Sequence, residues 1–266
     1  MKRIAALPLA LGLCLSVLPR AHADELSDIK AKGVLVVGVK ADYPPFGYLS
    51  PSGANIGIEP DLARNVAQRL GVKVQFVPVV AANRMQFLEQ GKIDLLIATM
   101  NDTPEREKVV DIVQPDYYAS GYNLMVPKTV PVKTWAQIKG VPVCGIQGTY
   151  YNKDVEEKYG AEIVAFTGVA EALTALKQGR CNAFLFDDTA IEGKIAMPEW
   201  SGYDMPLPTQ DPKPWGLAIK MGEPAFSAFM SKTLIDWDKT GYIIALEKKY
   251  HVKPSAYAAA QHKKYE

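Results

Sequence analysis

The sequence predicts an α/β fold in two lobes. Short apolar runs rich in β-branched residues alternate with stretches of helical periodicity, the pattern of strands laid beside helices. The alternation runs as far as Ala98 and restarts at Tyr122, so it is read as two units. A chain of 266 residues has room for one large domain or two ordinary ones.

Before the first strand comes Met1-Lys2-Arg3, an apolar run from Ile4 to Leu18, and Ala21-His22-Ala23. A basic start, a run too short to span a bilayer as a helix and an A-x-A site make a secretory signal peptide, cleaved after Ala23. An uncleaved N-terminal anchor is the alternative. Removal of Lys2, Arg3 and Arg20 from the 30 basic residues leaves 27 against 29 acidic ones, a mature net charge of −2. That balance excludes a nucleic-acid footprint. A composition 48% hydrophobic and 22% charged excludes a disordered chain and a polytopic membrane protein.

In order, Val34–Val39 reads as a strand. Pro60–Leu70 is a helix with Leu62, Val66 and Leu70 on one face, stopped by Gly71, and Val72–Val77 is the next strand. Asn83 can cap a helix through Gln90, and Ile93–Ala98 is a buried strand. In the second unit Asn123–Val126 is a strand, Thr134 and Gln137 are spaced as a capping box, and Val141–Ile146 is a strand. Helices at Tyr150–Tyr159 and Val169–Gln178 and strands at Ile163–Phe166 and Ala183–Phe186 follow, then a proline-rich stretch from Pro198 to Pro214. Leu217–Ile219 is a strand, and helices at Glu223–Thr240 and Tyr242–Lys249 finish the pattern.

Cys14 leaves with the leader, so the mature chain carries Cys144 and Cys181 into an oxidising compartment. One disulfide is the natural reading, with two buried thiols or a metal site as alternatives. Closing a loop of this length stabilises a fold by about 4 kcal/mol on the chain-entropy model. A metal centre is disfavoured because the mature histidines, His251 and His262, both lie near the C-terminus.

Asp42-Tyr43-Pro44-Pro45-Phe46, Glu59-Pro60-Asp61-Leu62-Ala63, Gly91-Lys92-Ile93-Asp94, Thr103-Pro104-Glu105-Arg106, Gln147-Gly148-Thr149 and Phe186-Asp187 follow the leader in that order. Their order and spacing resemble the polar amino-acid-binding family of periplasmic solute-binding proteins over essentially the whole mature chain. The resemblance implies the type II periplasmic-binding-protein fold, with a ligand cleft between lobes joined by two hinge strands. It also implies an amino-acid ligand, an inner-membrane ABC permease as partner and no cofactor. The expected organisation is a first lobe from 24–121 and 217–266, with a second lobe, 122–216, inserted. Crossings are expected near Gly121–Leu124 and Asp211–Gly216, in a monomer.

A buried carboxylate needs a fixed cation and a buried ammonium an anion, or desolvation prevents binding. Arg106 is the candidate for the ligand's α-carboxylate, since its planar fork grips a carboxylate bidentately, and the resemblance implies an arginine there. Asp187, at the C-terminal end of an apolar strand, is the candidate for the ammonium, with Asp188 as helix N-cap; an exchange of these two roles is the alternative. Thr99 and Asn101 can donate further hydrogen bonds, and Ala98 and Asn101 depart from the Ser or Thr that similar proteins carry. Gln147, Gly148 and Thr149 follow a strand and open a helix, where free N–H groups can meet a carboxylate. Tyr150 either narrows the pocket or points outward. Tyr43 is the candidate aromatic wall; Phe46 is either wall or core.

Lys40 stands where the family's binders of basic amino acids hold an aspartate, and Arg84 matches an arginine that glutamate/aspartate-binding relatives use on the distal carboxylate. The resemblance therefore implies an acidic or otherwise polar ligand. Alternatively, Lys40 and Arg84 pair with Glu59 or Asp61 and leave a neutral pocket. Two other classes compete. A dehydratase of arogenate or prephenate on this fold needs a poised acid, for which Glu59 and Asp61 are the candidates. A sensory domain usually continues into a membrane helix, whereas this chain ends in the polar tail Gln261–Glu266.

Overall fold

In this computed structural model, which describes residues 24–266, the alternating segments assemble into one nine-stranded sheet flanked by helices. The predicted leader, its cleavage site and Cys14 lie outside the described residues.

The first elements are α1 (Glu25–Lys32), β1 (Val34–Val39), three short strands β2 (Asp42–Tyr43), β3 (Gly47–Leu49) and β4 (Asn55–Ile56), and α2 (Ile58–Leu70). Next come β5 (Lys73–Pro78), α3 (Arg84–Glu89), β6 (Leu95–Leu96), α4 (Pro104–Glu107) and β7 (Asp111–Pro127). After a 3-10 turn at Trp135–Ile138 follow β8 (Pro142–Ile146), α5 (Tyr151–Tyr159), β9 (Glu162–Phe166), α6 (Val169–Lys177), β10 (Ala183–Asp187) and α7 (Asp188–Ile195). The chain closes with a second 3-10 turn at Pro198–Trp200, β11 (Tyr203–Asp204), β12 (Gln210–Ile219), α8 (Pro224–Thr240), α9 (Tyr242–Lys249) and α10 (Ala256–Tyr265).

Local chemistry accounts for most boundaries. Gly71 ends α2 in the left-handed conformation, at a φ of 71° that costs a glycine little. Thr134 and Gln137 form the predicted capping box. Asn83 precedes α3 without capping it; its Oδ1 accepts instead from the Val80 N–H, fixing the turn before the helix. The strand expected over Ile93–Ala98 shortens to Leu95–Leu96, the two residues that pair with Val37 and Gly38 of β1, and Thr99 beyond it turns the backbone to a φ of 47°.

The sheet runs β5-β1-β6-β12-β7-β10-β8-β9, with β11 paired to β7. β5, β1 and β6 are parallel at one end and β10, β8 and β9 at the other. Between them β7 and β12 pair antiparallel and extend through both halves. β7 meets Leu217–Ile219 through Asp111–Val113 and β10 through Tyr122–Met125. The β7–β12 ladder shifts register between Gln210 and Lys213 and again between Trp215 and Leu217. At Gly121 a side chain would meet Thr209 and the Gln210 carbonyl, a Cβ lying 2.5 Å from that oxygen.

The main core packs the helices onto this sheet, and an aromatic group fills the junction between its halves. Trp215 is fully buried, with the rings of Phe46, Tyr118 and Tyr43 at centroid distances of 5.0, 5.5 and 6.0 Å. Cys144 in β8 is bonded to Cys181 just before β10, with a Cα–Cα distance of 5.6 Å, so the expected disulfide staples the second half. Among the described residues no helix is long and apolar enough to cross a membrane, and no group of three His, Cys, Asp or Glu is placed to hold a metal.

Candidate ligand-binding site

The ends of β1, β6, β8 and β10 converge on one tight cavity of about 10 Å³ between the two halves. Lys40, Ala81, Arg84, Thr99 and Asn101 line it from the first half and Ile146, Thr149, Tyr151, Phe186 and Asp187 from the second. Strand ends expose a few backbone and side-chain polar groups at the mouth of a buried sheet, which is why ligands of open α/β sheets collect there.

The first wall is cationic and held from behind. Lys40, the residue after β1, is 2% exposed and pairs with Asp42 at 3.1 Å. Arg84 opens α3, so its side chain leaves the first turn toward the cavity, where Nη1 donates to the carbonyls of Ala98 (2.5 Å) and Thr99 (3.1 Å). Burial, then the neighbouring Arg106, pull the Arg84 guanidinium down toward about 9. Thr103 caps α4 by accepting the Arg106 N–H, with Pro104 at the first helical position. That short helix aims Arg106 back at the cavity, where Nη1 donates to the Asn101 carbonyl (2.8 Å) and Nη2 to the Gly148 carbonyl of the other half (3.2 Å). Arg106 borders the cavity rather than lining it.

Beneath this wall lies Glu59, fully buried in the first turn of α2. Its Oε1 accepts from the Thr99 N–H and the Tyr117 hydroxyl, both at 2.6 Å, and Oε2 has no hydrogen-bond partner. Burial pushes this carboxyl up to about 7 against the pull of those two bonds, Lys40 and Arg84.

The second wall carries one carboxylate. Asp187 ends β10 and is 4% exposed. The Tyr43 hydroxyl donates to its Oδ2 across the cavity at 3.0 Å and also contacts the Thr189 hydroxyl at 3.1 Å. Burial raises Asp187 to about 7, partly offset by the Tyr43 bond. Tyr151 is fully buried beside it with no partner for its hydroxyl. The wall approaches its opposite closely at Gly148, where a Cβ would lie 2.8 Å from the Ala82 backbone and φ is 82°.

The sequence pattern of the bacterial extracellular solute-binding proteins, family 3, matches residues 35–253. The chain belongs to that family. It is 31% identical over 233 residues to the glutamine-binding protein of an ABC transporter from Bacillus subtilis (strain 168), covering 85% of this chain and 84% of the relative. It is 25% identical over 253 residues to the L-glutamate/L-aspartate-binding protein of Pseudomonas aeruginosa (strain PAO1), covering 87% and 82%. The crystal structure of a solute receptor for L-cysteine of Neisseria gonorrhoeae superposes with a TM-score of 0.82 at 28% identity, covering 87% of this chain and 98% of that one. This member of the solute-binding family thus has the two-lobed α/β fold that the sequence predicts.

Of the residues singled out from the sequence of this solute-binding protein, Lys40, Arg84, Thr99, Asn101, Thr149 and Asp187 line the cavity, and Tyr43, Ala98 and Arg106 touch the lining residues. Phe46 takes its core alternative, packed on Trp215 and Tyr118. Gln147 is exposed: its backbone N–H extends the β8–β9 ladder and turns its side chain away from the lining. Tyr150 takes the outward alternative, donating its hydroxyl to the Asp211 carbonyl at 2.8 Å under the Lys213 ammonium. Asp188 is the first residue of α7 and Asp187 holds the N-cap position without a side-chain cap bond; Asp188 accepts from the Thr189 N–H and from the Ser120 and Thr209 hydroxyls, binding α7 to the two long strands. Lys40 pairs with Asp42, while Asp61 takes Arg64 and Lys249.

Sequence reasoning missed Tyr151, Phe186, Ile146 and Ala81 as lining and Glu59 as the buried anchor of Thr99. One signal was present: Tyr151 and Val155 are spaced i, i+4 and both buried on α5, so the inward aromatic of the Tyr150-Tyr151 pair is the second.

Proposed function

We propose that this protein binds an acidic L-amino acid in the periplasm and delivers it to an inner-membrane ABC permease by closing its lobes. One observation carries the reading: three buried cations, Lys40, Arg84 and Arg106, stand around a single cavity opposite one buried carboxylate, Asp187. An acidic amino acid carries two carboxylates and one ammonium. Arg106 takes the α-carboxylate, drawing Nη2 from the Gly148 carbonyl, and Asp187 takes the ammonium in the charge-assisted contacts a buried ion requires. Arg84 takes the distal carboxylate, since among the described residues only its Nη1 has a hydrogen bond.

In this reading the leader is cleaved after Ala23, the first lobe comprises 24–121 and 217–266, and the second comprises 122–216. The protein acts as a monomer without turnover, as befits relatives that are transporter binding proteins. The chain is hinged where β7 and β12 cross, near Gly121–Leu124 and Asp211–Gly216. Closure is favourable when ligand on the first lobe satisfies Asp187 on the second.

A second reading has its own support. Lys40 is paired with Asp42 and Arg84 leans on two carbonyls, which suits a neutral polar ligand such as L-glutamine. Thermal shift of the mature protein, refolded free of copurified ligand, against the twenty amino acids decides between them. The expected result is the largest rise in melting temperature with L-glutamate or L-aspartate. A larger rise with L-glutamine overturns the acidic assignment, and no rise with any amino acid overturns amino-acid binding.

A further inference from the structure

Asp42 belongs to β2 in the first half of the chain, yet its carboxylate serves the second. Its Oδ2 accepts the backbone N–H of Val169, the first residue of α6, at 2.9 Å, a contact across 127 residues of sequence. The helix has no cap of its own, because its N-cap residue is Gly168, which is extended at φ −129° and offers no side-chain oxygen. A helix start leaves N–H groups without intrahelical partners and attracts negative charge. Here both needs are met from the opposite side of the cleft. The other oxygen, Oδ1, holds the Lys40 ammonium, and Lys40 lines the cavity.

We propose that Asp42 is an interlobe latch, an N-cap supplied in trans to α6 that is made in the closed cleft, which the protein also samples without ligand, and that couples closure, through Lys40, to the charge of the bound ligand. The proposal rests on the cleft reading above, with Asp42 as a positioning residue that does not touch ligand. Opening the cleft strips α6 of its cap and loosens the partner of Lys40. With an acidic ligand present, Lys40 is shared between Asp42 and the pocket. Asp42 thereby sets both how long the cleft stays shut and how much positive charge the pocket shows its ligand.

The donor can be deleted without breaking the helix, although Val169 is also a core side chain. Proline is tolerated at the first position of a helix and has no N–H, and Gly168 is already in the conformation a pre-proline residue requires. The experiment is a double-mutant cycle of Asp42→Ala and Val169→Pro, read by titration and stopped-flow release of L-glutamate. Hydrogen exchange of the Val169 amide, without added amino acid, is followed in wild type, Asp42→Ala and Asp42→Asn. Loss of an N-cap corresponds to about a fivefold rise in Kd, carried mostly by faster release. Each single substitution is expected to give that rise and the pair little more than either. Asp42→Asn, which keeps an acceptor oxygen, is expected to retain Val169 protection while raising the preference for L-glutamate over L-glutamine. Fully additive effects, or a Val169 amide that exchanges equally fast in wild type and Asp42→Ala, overturn the latch. If wild type binds none of the twenty amino acids, the ligand reading falls, and the exchange measurement still decides the latch.

Discussion

The two walls of the cleft are built on opposite plans. On the first, every cation is braced from behind, Arg84 by two carbonyls, Arg106 by the Asn101 carbonyl and Lys40 by Asp42, and the Thr99 backbone is held by the buried Glu59. On the second, Asp187 stands among Phe186, Ile146 and Tyr151, and the hydroxyl that satisfies it comes from Tyr43 of the first wall. A braced set of cations offers a landing place before closure. A carboxylate with an imported partner gains most from an ammonium that arrives with the ligand, so in the proposed reading the difference implies an order: dock on the first wall, then recruit the second.

Removing one member of a buried charge pair costs roughly 2–5 kcal/mol, or about 30- to several-thousand-fold in affinity, so the largest effects belong to the two anchors. Arg106→Ala and Asp187→Ala should each abolish calorimetrically detectable L-glutamate binding while circular dichroism stays unchanged. Full affinity in Arg106→Ala would break the docking half of the comparison. If docking precedes recruitment, the milder Asp187→Asn should slow association less than Arg106→Lys does.

Next comes the staple, which only the second half possesses. Cys144→Ser with Cys181→Ser removes about 4 kcal/mol of stabilisation and should lower the melting temperature by about 10 °C, with less than a twofold change in affinity. Arg84→Gln should lower L-glutamate affinity about tenfold and leave L-glutamine within about twofold; an equal loss of both would make Arg84 a brace rather than a selector.

The smallest effects are in pH. Asp187 must be ionised to accept an ammonium, and burial places it near 7, so L-glutamine affinity should rise from pH 5.5 and level off above pH 7.5. A flat titration denies Asp187 that role. Asp116, remote from the cavity lining, is raised to about 7 by burial and then by Asp102. A carboxyl raised on folding stabilises while protonated, so its contribution is complete below about pH 4 and lost as pH climbs through 7. Asp116→Asn should therefore flatten the fall in melting temperature between pH 5 and 7.5.

What could be read from the chain followed local chemistry. Val34–Val39 and Tyr242–Lys249 were legible to the residue because apolar periodicity and flanking glycines mark them. The two long strands were not. Only Asn123–Val126 and Leu217–Ile219 read as strand, since Gln114, Pro115, Asp116 and Gly121 break the alternation in β7. Asp211-Pro212-Lys213-Pro214 imitates a loop in β12, whose ladder is irregular there. α10 went unread although Ser255 accepts from the N–H groups of Tyr257 and Ala258 as an N-cap; the polar tail masked a face on which Ala258 is buried and His262 meets the Asp238 carbonyl of α8. Within the site, the placement of Asp187 in the cavity and of Arg106 beside it was legible from motif and chemistry, whereas Glu59 looked like an ordinary helix-start acid. Its role depends on Thr99 and Tyr117, 40 and 58 residues away, meeting at one oxygen.

The pairing of β7 with β12 also has a mechanical consequence. A body hung on one flexible strand can swivel and tilt about any axis, but one hung on two strands locked side by side by a ladder cannot slide or twist without tearing it. Bending across the pair is the remaining freedom, so in the proposed reading the lobes move like a door on two pins. A receptor at the membrane then has a single angle to read, whatever the cleft has caught.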